Sequence, residues 1–147
     1  MAKSLEEIIE EYDELRKSFR KYTKDSQVKS DNLIEYQSRF TDLKAELRDH
    51  KAKVLSQWIR RDDKAATAIK FRIAVAIHEG RFKDEKGNLV YDECTINQAE
   101  KYASGSEQYK KFVDQRAFYK ESYTNICDLR DDINSYIIEC KDRNKNN

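Results

Sequence analysis

Ser4-Leu5-Glu6-Glu7-Ile8-Ile9-Glu10-Glu11-Tyr12-Asp13-Glu14-Leu15-Arg16-Lys17-Ser18-Phe19-Arg20-Lys21-Tyr22 sets seven apolar residues in a charged background, six of them in register. Leu5, Ile8, Tyr12, Leu15, Phe19 and Tyr22 are spaced by alternating steps of three and four. A helix turns through 3.6 residues, so this spacing gathers the six into one seam that must meet another helix. Ser4 with Glu7 reads as a capping box, in which each side chain satisfies a free amide of the first turn. Glu6, Glu7, Glu10 and Glu11 precede Arg16, Lys17, Arg20 and Lys21, an order that suits the helix dipole.

The same signature continues outward. Residues 23 to 31 read as a connector, with Ser30 or Asp31 as the next cap. Leu33, Tyr36, Phe40, Leu43, Leu47, His50 and Val54 then form a second stripe, widened by Leu55, Trp58 and Ile59. That helix runs to about Arg61, some ~45 Å at ~1.5 Å per residue. Asp62 and Asp63 cap a third helix, Lys64 to Glu79, whose alanines admit a close neighbour and which Gly80 ends. Gly87-Asn88 lies between short β-prone arms, so a small hairpin is expected over 81–92; alone in water it is marginal and must lean on the helices or a partner. Thr95 with Gln98 is a second capping box, and Ser104-Gly105-Ser106 interrupts the helix it starts. The last stripe is Tyr109, Phe112, Arg116, Tyr119, Tyr123, Ile126, Arg130, Ile133, Ile137 and Cys140, with two arginines inside the seam. Residues 142–147 are expected to be a disordered tail. The reading is an all-α fold: an elongated helical bundle of coiled-coil-like long helices with one small β-hairpin insertion. It forms a single helical domain over 1–141, with helices at about 4–24, 31–61, 64–79, 96–103 and 107–141.

Composition agrees with long helices. The 147 residues contain no proline and three glycines, and both residue types break helices. Lysine and arginine number 29 against 28 acids, a formal net charge of +1, so net charge carries no nucleic-acid signature. Cys94, Cys127 and Cys140 make no CxxC pair and no metal spacing, which implies reduced thiols and a cytoplasmic setting. No apolar run approaches the ~20 residues of a membrane span, and the N-terminus lacks the apolar region of a signal peptide.

No catalytic motif appears: there is no GxSxG, P-loop, GxGxxG or HExxH. His50 and His78 fall in different helices, and His50 sits in a seam, where a packed or hydrogen-bonded imidazole is the ordinary role. Asp62-Asp63 and Asp131-Asp132 read as helix-surface acids, because acid–base or metal sites need buried, converging carboxylates. The chain is therefore expected to be no enzyme and to need no cofactor or metal. The informative section is Lys44 to Arg72, where Lys44, Arg48, Lys51, Lys53, Arg60, Arg61, Lys64, Lys70 and Arg72 surround Trp58 and Phe71. Cations neutralise phosphates and aromatic rings stack on unpaired bases, at ~1–3 kcal/mol per base. The alternative is a solvated helix face with a core tryptophan, which composition alone favours because Glu46, Asp49, Asp62 and Asp63 dilute the charge. From this section Lys51, Lys53, Trp58, Arg60, Arg61, Lys64 and Arg72 are the nucleic-acid candidates. The late tyrosines and phenylalanines fit a stacking surface or, given their helical spacing, a core. Leu5, Ile8, Tyr12, Leu15, Phe19, Tyr109, Phe112, Arg116, Tyr123 and Arg130 are the candidates for an oligomer or partner interface. A seam arginine needs a carboxylate, a neighbouring subunit or an edge position.

The opening Ser4-to-Tyr12 segment, the polar link Asp25-Ser26 and the helix Asn32-Leu33-Ile34-Glu35-Tyr36-Gln37-Ser38-Arg39-Phe40 occur in that order. The closing segment runs from Tyr109-Lys110-Lys111-Phe112 through Tyr119, Tyr123 and Leu129 to Asp132-Ile133-Asn134-Ser135-Tyr136-Ile137. Together these resemble the phage recombination mediator family of the UvsY type, over most of the chain. The resemblance implies a ring-like homo-oligomer that binds single-stranded DNA and helps load a RecA-like recombinase. It also implies a short Lys/Arg motif for DNA, whose nearest match here is Lys51, Lys53, Arg60 and Arg61. Where the family has a polar loop, this chain carries the hairpin candidate. A second function remains open: a phage-encoded helical interaction module, such as an inhibitor of a host protein. A plain structural coiled coil fits less well, because the stripes are interrupted.

Overall fold

The structure is a computed structural model that describes residues 2–89 and 94–146. Its elements are α1 (Leu5–Asp25), α2 (Ser30–Ile59), α3 (Asp63–His78), α4 (Ile96–Ser104) and α5 (Glu107–Lys145). All five are helices, and no candidate membrane-spanning helix occurs among the described residues. The chain divides into two compact units, Met1–Val54 with Ser122–Asn147, and Leu55–Glu121.

In the first unit the seam of α1 is closed by α2 and α5. Ile8, Tyr12, Leu15 and Phe19 pack with Leu33, Phe40, Leu43 and Leu47 of α2 and with Ile126, Ile133, Tyr136, Ile137 and Cys140 of α5. Aromatic rings join the three helices. Phe40 stacks on Tyr136 at 5.1 Å, and Phe19 meets Phe40 and Tyr136 edge-on at 5.8 and 5.9 Å. The long helices of this unit thus pair within one chain. Of the residues expected at an oligomer or partner interface, Ile8, Tyr12, Leu15 and Phe19 are buried in this core, and Leu5 packs against it. A heptad stripe marks a face that must be covered, not what covers it.

Side chains fix the helix ends. Ser4 Oγ accepts the Glu7 N–H at 3.2 Å. The Tyr22 hydroxyl accepts the Lys29 N–H at 2.7 Å and Asn32 Nδ2 at 2.9 Å, which ties the connector between α1 and α2. The tail expected to be disordered continues α5 to Lys145; Asn147 lies outside the described residues. Its last turn carries Arg143 and Lys145 at the negative end of the dipole. Ser30 Oγ donates to Asn144 Oδ1 at 2.6 Å, and that bond to α2 supplies a partner invisible in the tail's own sequence.

In the second unit α3 and α4 pack through small residues. Ile73, Ala74, Ile77, Ala99 and Ala103 are buried, with Ile69, Phe82, Cys94 and Tyr109 against them. α4 begins with a complete capping box between Thr95 and Gln98. α3 ends at Gly80, whose φ of 71° is the left-handed turn that glycine adopts without strain. The Gly80 N–H reaches Ile77 O at 3.0 Å and the Arg81 N–H reaches Ala76 O at 2.9 Å, a Schellman stop.

The hairpin expected over 81–92 reduces, among the described residues, to one antiparallel bridge between Lys83 and Leu89; Val90 to Asp92 lie outside them. Asp84 Oδ1 accepts the N–H groups of Lys86 and Asn88, each at 2.9 Å, and Gly87 has φ 80°. The carboxylate closes a tight loop and takes amide hydrogens that a strand ladder would use.

Candidate nucleic-acid interface

Each residue of a helix is rotated ~100° from the last, so steps of three and four keep to one face. Lys44, Arg48 and Lys51 are spaced four and three residues apart on α2 and share such a face with Thr41. α5 brings Arg130 to them. Thr41, Lys44, Ala45, Leu47, Arg48, Lys51 and Arg130 line a cleft of about 330 Å³ in the first unit, and none of these residues is a carboxylate. Lys44 Nζ donates to Asn134 Oδ1 at 2.7 Å, and the Lys51 ammonium lies 5.8 Å from the Tyr123 ring centroid. Arg48 and Arg130 are exposed. Among the described residues neither guanidinium forms an ion pair.

Four cations facing one concavity raise the local potential for an anion even though the whole chain is near neutral. The arrangement opposes stability slightly, since like charges one turn apart cost ~0.2–0.5 kcal/mol per pair. A polyanion in the cleft removes that cost. Chemically the cleft can hold phosphate oxygens by charge-assisted hydrogen bonds, with the guanidiniums offering paired donors.

A second groove of the same unit has the opposite lining. Glu11, Glu14, Asp42 and Glu46 face it with Lys3 and Arg39. Lys3 Nζ bonds Glu11 at 2.7 Å and Glu46 at 3.3 Å, and the hydrogen bond to Glu11 is the leading cause that raises the Lys3 pKa. A His50 ring nitrogen donates to the Lys3 carbonyl at 2.7 Å, so this seam histidine fastens the chain's start to α2.

Of the nucleic-acid candidates read from sequence, Lys51 lines the cationic cleft. Lys53 is rotated by about 200° from it on the same helix, on the side of Glu46 and Asp49. Arg61 lies in the second unit, 4.7 Å over the Tyr119 ring, and donates to Gln57 Oε1 at 2.9 Å and Gln115 Oε1 at 3.4 Å. Trp58 is half-buried there, while Arg60, Lys64 and Arg72 are exposed. Lys64 borders a shallow depression with Asp63, Thr67, Ala68 and Phe71.

Sequence reading by charge density missed Arg48 and Lys44 as site residues. The signal that finds them is the four-then-three spacing to Lys51 with no acid on that face. Arg130, an interface candidate in the sequence, joins these cations only through the fold.

The remaining interface candidates divide. Phe112 is buried, and Tyr109 packs on the second core, with the Lys70 ammonium 5.9 Å from its ring. Arg116 meets a carboxylate, Asp63 Oδ1, at 2.7 Å. Tyr123 borders the cleft through Lys51, and Arg130 takes the edge position that a seam arginine requires. Among the late aromatics Phe118 is 63 % exposed. It lines a broad groove of about 1110 Å³ in the second unit, with Phe82 and Tyr102 beside lysines and acids of both signs.

Asp62 caps α3 by accepting the Ala65 N–H at 2.8 Å, and a His78 ring nitrogen donates to the Cys94 carbonyl at 2.7 Å. Among the described residues no three His, Cys, Asp or Glu gather as a metal site. All three cysteines are free thiols. Burial, then Glu139, pushes the Cys140 thiol up to about 11. Two results are expected. Iodoacetamide at neutral pH labels the half-buried Cys94 and Cys127 and spares Cys140 in the folded protein, as peptide mass mapping reads. Cys140 ionises later folded than unfolded, so its contribution is full below the unfolded thiol pKa and is lost as pH rises to about 11. A denaturation midpoint that climbs across that window would contradict the assignment.

Comparison with protein-family models, curated proteins and solved structures finds no match to this chain.

Proposed function

We propose that the chain is a non-enzymatic accessory protein that holds single-stranded DNA by its phosphates and presents it to a RecA-like recombinase. The observation that carries the DNA half is the cleft of Lys44, Arg48, Lys51 and Arg130, four cations with no lining carboxylate. The recombinase half is what the resemblance to the mediator family implies. A homo-oligomer belongs to the same reading, and it must use surfaces other than the α1 seam, which is already buried. Free thiols suit a cytoplasmic setting.

Fluorescence anisotropy with labelled poly-dT tests the reading. Neutralising about four phosphates of a single strand gives a log–log salt slope near −3. Affinity therefore falls on the order of 50-fold between 50 and 200 mM salt. Absence of binding at the lower salt removes the proposal.

A second reading has its own observation. The broad groove of the second unit combines the exposed rings of Phe118 and Tyr102 with Lys83, Lys110 and Lys111 against Asp84, Glu85, Glu107 and Asp114. Its mixed charge suits a protein surface better than a phosphate chain. Under this reading the chain is a helical interaction module, such as an inhibitor of a host protein. It then forms a one-to-one complex and has no oligonucleotide affinity.

A further inference from the structure

We propose that the cationic cleft recognises consecutive phosphates as such, so that linear inorganic polyphosphate is a ligand of the same site. This rests on the phosphate reading of the cleft and names what the site requires of its ligand. No aromatic ring lines the cleft; apart from the cations its walls are Thr41, Ala45 and Leu47. The ring beside it, Tyr123, already has the Lys51 ammonium over it, 5.8 Å from its centroid. Amides read adenine edges and carboxylates read cytosine edges, and the lining contains no Asn, Gln, Asp or Glu. The half-buried Trp58, the natural stacking candidate, belongs to the other unit.

Size points the same way. About 330 Å³ holds a few phosphate groups. Lys44 to Lys51 spans roughly 10 Å along α2 at ~1.5 Å per residue. A flexible chain can bring successive phosphates to cations over such a length, whereas a duplex holds its phosphates on a stiff, convex surface. One phosphate cannot reach all four cations, so linked phosphates gain over the free ion through effective concentration.

Competition against labelled poly-dT at low salt tests the inference. Unlabelled inorganic polyphosphate should displace the oligonucleotide at a phosphate concentration within about tenfold of that needed by unlabelled poly-dT. Orthophosphate at equal phosphate should not, and an abasic oligonucleotide should compete as poly-dT does. Arg48→Glu with Arg130→Glu should lose both ligands, while Trp58→Phe keeps both.

If poly-dT binds but neither polyphosphate nor the abasic strand competes, bases are required; the inference fails and the DNA reading stands. If neither ligand binds the unmodified protein, both fail together. Polyphosphate bound equally by the charge-reversed variant places its site elsewhere and also overturns the inference.

Discussion

Phe40→Ala is expected to destabilise the first unit by about 3–5 kcal/mol, the cost of truncating a buried phenylalanine to leave a cavity. Phe40 has no exposed surface, and its ring is the meeting point of three helices. It stacks on Tyr136 of α5 at 5.1 Å and meets Phe19 of α1 edge-on at 5.8 Å. Such aromatic pairs add ~0.5–1.5 kcal/mol each beyond burial. A domain of ordinary stability has only ~5–15 kcal/mol in total, so this change takes a large part of it. Two measurements read the loss. The urea midpoint falls by circular dichroism. Alkylation of Cys140, which sits in the same core, accelerates by on the order of 10²–10⁴-fold, because opening of the unit exposes it. Phe118→Ala, at a ring 63 % exposed, is the comparison and should change stability within ~0.5 kcal/mol. A Phe40→Ala protein with the unmodified midpoint and a protected Cys140 would show that the aromatic junction is not the core.

The aromatic junction also marks what the sequence makes legible. Each stripe is a property of one helix, and the three-four spacing of Leu5 to Phe19 or Leu33 to Leu47 is set by the 3.6-residue turn alone. The all-helical class follows from those stripes, the missing proline and local caps such as Thr95 with Gln98. What faces a stripe is a different kind of information. Nothing between Leu5 and Tyr22 distinguishes α2 and α5 of the same chain from a second copy, so the seam read as an interface is a core. Local competition is equally hard to read. Asp84 outbids a strand partner for the amides of Lys86 and Asn88, and the Ser30–Asn144 bond joins residues 114 apart. The division into two units leaves no trace in composition, because α2 and α5 each supply residues to both without a proline or glycine break. The cleft is half legible: Lys44, Arg48 and Lys51 share a face by arithmetic, and Arg130 joins them only through the packing of α5 on α2.

Arg48→Glu with Arg130→Glu should weaken poly-dT binding by about 10²-fold or more at low salt while leaving the fold intact. Each charge-assisted hydrogen bond is worth ~1.5–3 kcal/mol, and the pair supplies the two cleft cations that have no intramolecular ion pair among the described residues. The lining changes from four cations to two cations and two carboxylates, so phosphate contacts are lost and repulsion is added. The salt slope then shrinks by ~0.7 for each contact removed. Both side chains are exposed, and the double change relieves like-charge neighbours on α2. Thermal midpoint and helical dichroism should stay near those of the unmodified protein. Lys53→Glu with Arg60→Glu makes the same change in net charge at residues that do not line the cleft and should weaken binding much less. Equal losses in the two double variants would mean that overall charge, not the cleft, governs the interaction. An unchanged affinity after reversal of Arg48 and Arg130 would move any DNA site off these helices, and the aromatic groove of the second unit would then be the surface to test with protein partners.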